Sequence, residues 1–178
     1  MVWTNSDSLH VRFGQETAQP AQGGEVVAYG NRHEFVFKIN YTDLLSATAA
    51  IVDGPTAGAL GVKIPKGLYV DEVEMIAEQA FTSSGTIGSS TLVMGLIRED
   101  RSTTYTANGF TTTAFVGSVF DAAGETTVLR VGSTGAGAFI GTALANDGYV
   151  VAANSQHGSH PFTAGKMIVK IRGHYPTA

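Results

Sequence analysis

Residues 62–81, VKIPKGLYVDEVEMIAEQAF, decide the fold, because they satisfy two periods at once. At helical spacing Tyr69, Val73, Ile76, Ala77 and Ala80 form an apolar stripe. At strand spacing Val73, Met75 and Ala77 take one face, and Glu72, Glu74 and Glu78 take the other. The flanks arbitrate. Pro65 lacks a backbone donor, and Lys66–Gly67 suits a turn. The breaker run TSSGTIGSS follows, and then another strand-like run. These surroundings predict a strand, with the slip in phase at Asp71 and Glu72 read as a β-bulge.

The rest of the chain agrees with that reading. LHVRFG alternates Leu9, Val11 and Phe13 against His10 and Arg12. HEFVFKIN does the same through Phe35, Phe37 and Ile39, or through the reverse face with Val36. TLVMGLIRED is a continuous apolar run suited to a central strand, ending in a charged corner. ETTVLRVG, DGYVVAAN and GKMIVKIRGHY follow, the last with Met167, Val169 and Ile171 against a wet face of Lys166, Lys170 and Arg172. Two short helical candidates stand out, TDLLSATAA with Thr42 as N-cap and AFIGTALAN. About eight strands without alternating helices predict an all-β fold, a jelly-roll-like β-sandwich with at most one or two short helices. Residues 1–178 read as one domain, with 1–25 set apart as an N-terminal arm.

Composition narrows the function. Of 178 residues only 15% are charged, against roughly a quarter in an average domain. The net charge of -4 disfavours nucleic-acid binding, which needs clustered Lys and Arg. Without cysteine there is no disulfide, thiolate nucleophile or cysteine-held zinc. No apolar run has the roughly 18 residues of a spanning helix, and MVWTNSDSLH has no signal-peptide pattern, so a non-membrane protein made in the cytoplasm is expected.

Candidate chemistry is sparse. GSTGAGAFIG, residues 132–141, lacks the Gly-Lys-Ser/Thr ending of a phosphate loop and reads as a flexible turn. His157 and His160 in HGSH have the spacing of two metal ligands, with Asp147 or His174 as a third, yet solvated histidines are the plainer reading. Glu72, Glu74 and Glu78 put carboxylates at i, i+2 on one face, about 7 Å apart by strand rise. Acid–base chemistry needs a cleft to separate their pKa values, and a solvated sheet face does not supply one. No G-x-S-x-G elbow occurs. No catalytic residue, metal or cofactor is therefore expected. Trp3, the sole tryptophan, either caps its own core or anchors the arm in a neighbouring subunit. The corner at Arg98, Glu99, Asp100 and Arg101 is a surface turn or one side of a subunit contact.

Three passages in order carry a resemblance: VWTNSDSLHVRFG, IPKGLYVDEVEMIAEQAF with LVMGLIRED, and DGYVVAANSQHGSHPFTAGKMIVKIRG. Together the passages resemble small virion structural proteins of tailed bacteriophages, cyanophages and marine phages among them. That group shares a W-x-N/D-x-D-x-L-x-V-x-F-G start, an IP-x-G turn, a GL-I/D-R-x-D corner and a closing F-T-A-G-K-x-x-V strand. The likeness covers most of the chain, thinning between residues 102 and 124. It implies a jelly-roll-like capsid decoration (cement) protein on the outside of the head, a homotrimer whose partners are itself and the major capsid protein. Contact residues are then expected in the arm (Trp3, Leu9, Val11, Phe13) and at the charged corner (Arg98, Asp100, Arg101). The alternative is a tail or fibre module that binds host carbohydrate, with Tyr69, Tyr105 and Phe110 lining a groove.

Overall fold

The computed structural model describes residues 2–4, 9–12, 25–29, 31–44, 50–51, 63–98, 104–106, 108–112 and 117–176. Twelve strands run in chain order: β1 (Val2–Thr4), β2 (Leu9–Arg12), β3 (Glu25–Tyr29), β4 (Arg32–Asn40), β5 (Ala50–Ile51), β6 (Lys63–Ile64), β7 (Tyr69–Ser83), β8 (Leu92–Ile97), β9 (Thr104–Thr106), β10 (Thr126–Leu129), β11 (Gly148–Asn154) and β12 (Phe162–His174). The deciding stretch is a strand. Its entrance is the short β6 and a turn in which Gly67 holds φ 86, a conformation that suits a residue without Cβ. The fifteen residues of β7 then follow.

Two antiparallel sheets result, ordered β1-β2-β3-β4-β12-β7-β10 and β5-β11-β8-β9, with β6 beside β5 on the edge of β11. Let the eight strands β4, β5, β7, β8, β9, β10, β11 and β12 be counted first to eighth. The larger sheet then contains the order first-eighth-third-sixth, and the smaller is second-seventh-fourth-fifth. That is the double Greek key of a jelly roll. The 1–25 stretch supplies β1 and β2, which pair through β3 onto β4 and lengthen the larger sheet.

The two sheets bury their strands differently. In β4, β7 and β12 alternation is clean: Phe35, Phe37, Ile39, Val73, Met75, Ala77, Met167, Val169 and Ile171 are buried, and their polar neighbours face outward. Leu92, Met94, Leu96, Val150 and Ala152 meet them from the smaller sheet. Each large side chain withdrawn from water contributes roughly 1.5–3 kcal/mol. β8 and β11 are buried on both faces, and Ile97, Tyr149 and Val151 form a second cluster away from the main core. Hence their uninterrupted apolar sequence.

β7 keeps register with β12 only by bulging. Arg172 pairs with Glu72 and Gly173 with Val70, which leaves Asp71 as the extra residue, where the slip in phase predicts it. A second shift, between Lys166–Gln79 and Met167–Ala77, leaves Glu78 over. Gly165, at φ 133, lies where an added Cβ would overlap the Phe81 ring.

No α-helix occurs among the described residues, which hold three single 3-10 turns: Tyr41–Leu44, Ile87–Ser89 and Gly117–Phe120. The first falls in the TDLLSATAA candidate, but Asp43 rather than Thr42 makes the capping bond, accepting the Asn40 N–H at 2.8 Å. AFIGTALAN is not helical. Its backbone is committed sideways to the start of β7, through Gly141 N–H to Val70 O (2.7 Å), Val70 N–H to Thr142 O (3.1 Å) and Leu144 N–H to Leu68 O (2.9 Å).

Phe37→Ala should cost about 3–5 kcal/mol through the cavity it leaves. Gly165→Ala should cost about 1–3 kcal/mol through overlap with Phe81 and an unfavourable φ. Denaturant midpoints of the purified variants check both values. A circular dichroism spectrum of strand type, without a helical double minimum, is expected for the parent.

Candidate functional site

The outer face of β4, β12, β7 and β10 carries the densest polar arrangement among the described residues. Register dictates it, because residues opposite one another on antiparallel strands share a face. Arg172 pairs with Glu34 on β4 and with Glu72 on β7, and Arg130, one residue past β10, reaches the same row. The row therefore reads Glu34, Arg172, Glu72, Arg130, alternating in sign across four strands. Arg172 Nε donates to Glu34 Oε2 at 2.5 Å, Nη1 to Glu72 Oε1 at 2.6 Å and Nη2 to Glu74 Oε2 at 2.7 Å. Arg130 Nε donates to the other Glu72 oxygen at 2.8 Å. Lys170 lies 3.5 Å from Glu74, and Lys38 lies 3.1 Å from Glu78. Four cations thus face four carboxylates, and the lattice is neutral. Beside it a groove of about 660 Å³ opens between Arg32, Glu34, Asp71, Arg172 and His174. His174 Nδ1 sits 2.9 Å from Asp71 Oδ2 on the bulge, and its ring lies 5.0 Å from that of Tyr69.

The electrostatics at Glu72 run against a general-acid role. The Arg172 hydrogen bond holds Glu72 below its ordinary carboxyl pKa; burial opposes this, and Arg130 adds to it. A general acid needs the opposite shift. Arg172 is stabilised in its charged form by Glu34, Glu72 and Glu74 against the cost of burial. Asp43 is raised by burial, but it is spent on the Asn40 backbone. What the lattice does is tie four strands together laterally.

The histidine pair does not converge with further ligands. His160 Nδ1 accepts the Thr86 N–H at 3.2 Å, and its carbonyl accepts Ser90 Oγ and Asn154 Nδ2, each at 2.8 Å. Asp147 sits at the other end of β11, where it accepts the Lys66 N–H at 2.6 Å and pairs with Lys63. His174 is taken by Asp71. Among the described residues no three His, Asp or Glu side chains group as a metal site. Of the aromatics expected to line a groove, Phe110 is fully buried against Phe139 at 5.2 Å, and Tyr69 lies half-buried on His174. The Tyr105 side chain lies outside the described residues.

Of the expected contact residues, Trp3 lies on β1 opposite Val11, and Leu9 and Val11 lie on β2, at one end of the larger sheet. Arg98 is exposed just beyond β8 in the smaller sheet. The arm strands β1 and β2 and Arg98 therefore lie with different sheets. Phe13, Asp100 and Arg101 lie outside the described residues. The Arg172 lattice itself was only half visible in the sequence, as a wet face on β12, because its pairing depends on register.

A scan against models of known families, a search of curated proteins and a search of solved structures each return no match.

Arg172→Met should destabilise the protein by about 1–2 kcal/mol at neutral pH, since three carboxylates lose their common partner. Added salt should narrow the difference. The pH dependence follows from Glu72, whose pKa in the fold is lowered from 4.5. The stability it confers is complete above that value and disappears as the pH falls through the lowered one. Urea titrations should show the parent ahead of Glu72→Gln at pH 7, with the gap closing as the pH falls below 4.5 and through the lowered pKa.

Proposed function

We propose that the protein is a capsid decoration protein of a tailed bacteriophage, bound as a homotrimer to the outside of the head, with the major capsid protein as its partner. The observation that supports this reading is where the resembling passages fall. IPKGLYVDEVEMIAEQAF with LVMGLIRED supplies β7 and β8, and DGYVVAANSQHGSHPFTAGKMIVKIRG supplies β11 and β12. These strands are the β7–β12 pair within the larger sheet and the β8–β11 pair within the smaller. The shared letters are thus those of a scaffold. The acidic residues that acid–base chemistry would draw on are locked to guanidinium and ammonium groups instead.

The physical requirements of a shell-binding role fit such a chain. A trimer matches the three-fold positions of an icosahedral shell, and weak contacts multiplied by symmetry add up to tight attachment. Closed rotation avoids open-ended association. A net charge of -4 suits an outer surface better than one that faces DNA. Light scattering should report about three chains per particle. The protein should co-sediment with heads stripped of it and raise the temperature at which they break. Deleting residues 1–14 should weaken the trimer or its attachment. A monomer that ignores heads and is recovered with tails would overturn the reading in favour of a tail module.

A further inference from the structure

We propose that the outer edge of β10 is a subunit contact, and that its occupant is β1 of a second copy of this chain, three copies closing into a ring. The proposal rests on the homotrimer reading above. Among the described residues β10 is one terminal strand of the larger sheet and β1 is the other.

The pairing of β10 with β7 fixes which backbone groups face outward. Ala77 N–H donates to Glu125 O at 2.8 Å, and Thr127 and Leu129 stand opposite Met75 and Val73. Bonded pairs alternate along an antiparallel ladder, so Thr127 and Leu129 turn their N–H and C=O toward β7. Those of Thr126 and Val128 point out of the sheet. Arg130 closes its own backbone on Ser133, through N–H to Ser133 Oγ at 2.9 Å and Ser133 N–H to Arg130 O at 2.9 Å. Among the described residues, therefore, a three-residue segment, 126–128, is open to an added strand.

This edge lacks the usual protection. TTVL contains no Lys, Pro or inward charge, the devices that keep a sheet edge from pairing. Val128 and Val131, 36% and 73% exposed, are the exposed large apolar residues among those described; Val128 lies on this edge and Val131 in the turn just past it. β1 matches it in length, with three residues, Val2–Thr4. The direction matches as well. Six antiparallel steps separate β1 from β10, so the two strands run the same way. Joining β10 of one copy to β1 of the next therefore makes a parallel pair, with the twist of roughly 20–25° per strand that builds up across the sheet taken up by the rotation between copies. Each contact covers two edges at once and leaves the larger sheets of the ring with none, whereas β10 against β10 would leave both β1 strands open.

The cysteine-free chain makes the test clean. Within one copy β1 and β10 lie about 29 Å apart, six strand spacings, beyond the reach of a short thiol–thiol crosslinker. Thr4→Cys combined with Val128→Cys, and Trp3→Cys combined with Val128→Cys to allow for register, should each be crosslinked to a species that stops at three chains on a denaturing gel. The single-cysteine variants should stay uncrosslinked. Val128→Pro removes an outward N–H while sparing the bonds to β7, and should weaken the trimer at least about tenfold with an unchanged strand spectrum. A crosslinked dimer from Val128→Cys alone would overturn the proposal by showing β10 against β10. Absence of crosslinks in a protein that still scatters as a trimer would overturn it and leave the homotrimer standing. A monomer by scattering would remove both.

Discussion

The antiparallel pairing of β7 with β12, fifteen residues against thirteen, is the constraint on which the rest of the molecule is built. On one side β4 docks along β12, and on the other β10 docks along β7, so any error in the central register passes to both neighbours. A slip of one residue would carry Val73, Met75 and Ala77 to solvent and three glutamates into the core. The bulges at Asp71 and Glu78 prevent this. They absorb the surplus length of β7 while keeping Met167, Val169 and Ile171 level with the apolar residues opposite.

The same register builds the outer face. Once Glu72 stands opposite Arg172, and Arg172 opposite Glu34, one guanidinium serves three strands. The arrangement is neutral and partly wet, the Arg172 side chain being 35% exposed, so it contributes far less than the core beneath it. Its value lies in specificity. A misregistered β12 would part Arg172 from Glu34 or Glu72, and the aligned one joins all three.

How much of this can be read from the chain depends on how local the signal is. Alternation in HEFVFKIN and GKMIVKIRGHY marks β4 and β12 with their buried faces, because a half-buried strand writes its environment at every second residue. The adjacent acids Asp71 and Glu72 betray a bulge for the same reason. β3, β5, β6 and β9 are too short to write a period. The lattice is illegible for another reason: Arg172 and Glu34 are 138 residues apart, and only topology brings them together. AFIGTALAN misleads, since its helical letters cannot show that its backbone bonds go to β7. Phe110 misleads similarly, because an aromatic destined for a groove and one destined for a core have the same letter.

On the functional side, we propose that a jelly roll whose polar face is internally neutralised, and whose larger sheet ends among the described residues in an unguarded strand, serves as a building unit. Electron microscopy of phage particles assembled with this protein tests that proposal most directly. Trimeric density of jelly-roll size on the outer surface of the head, at its three-fold positions, is the expected result. Density confined to the tail or its fibres, with a bare head, would contradict it.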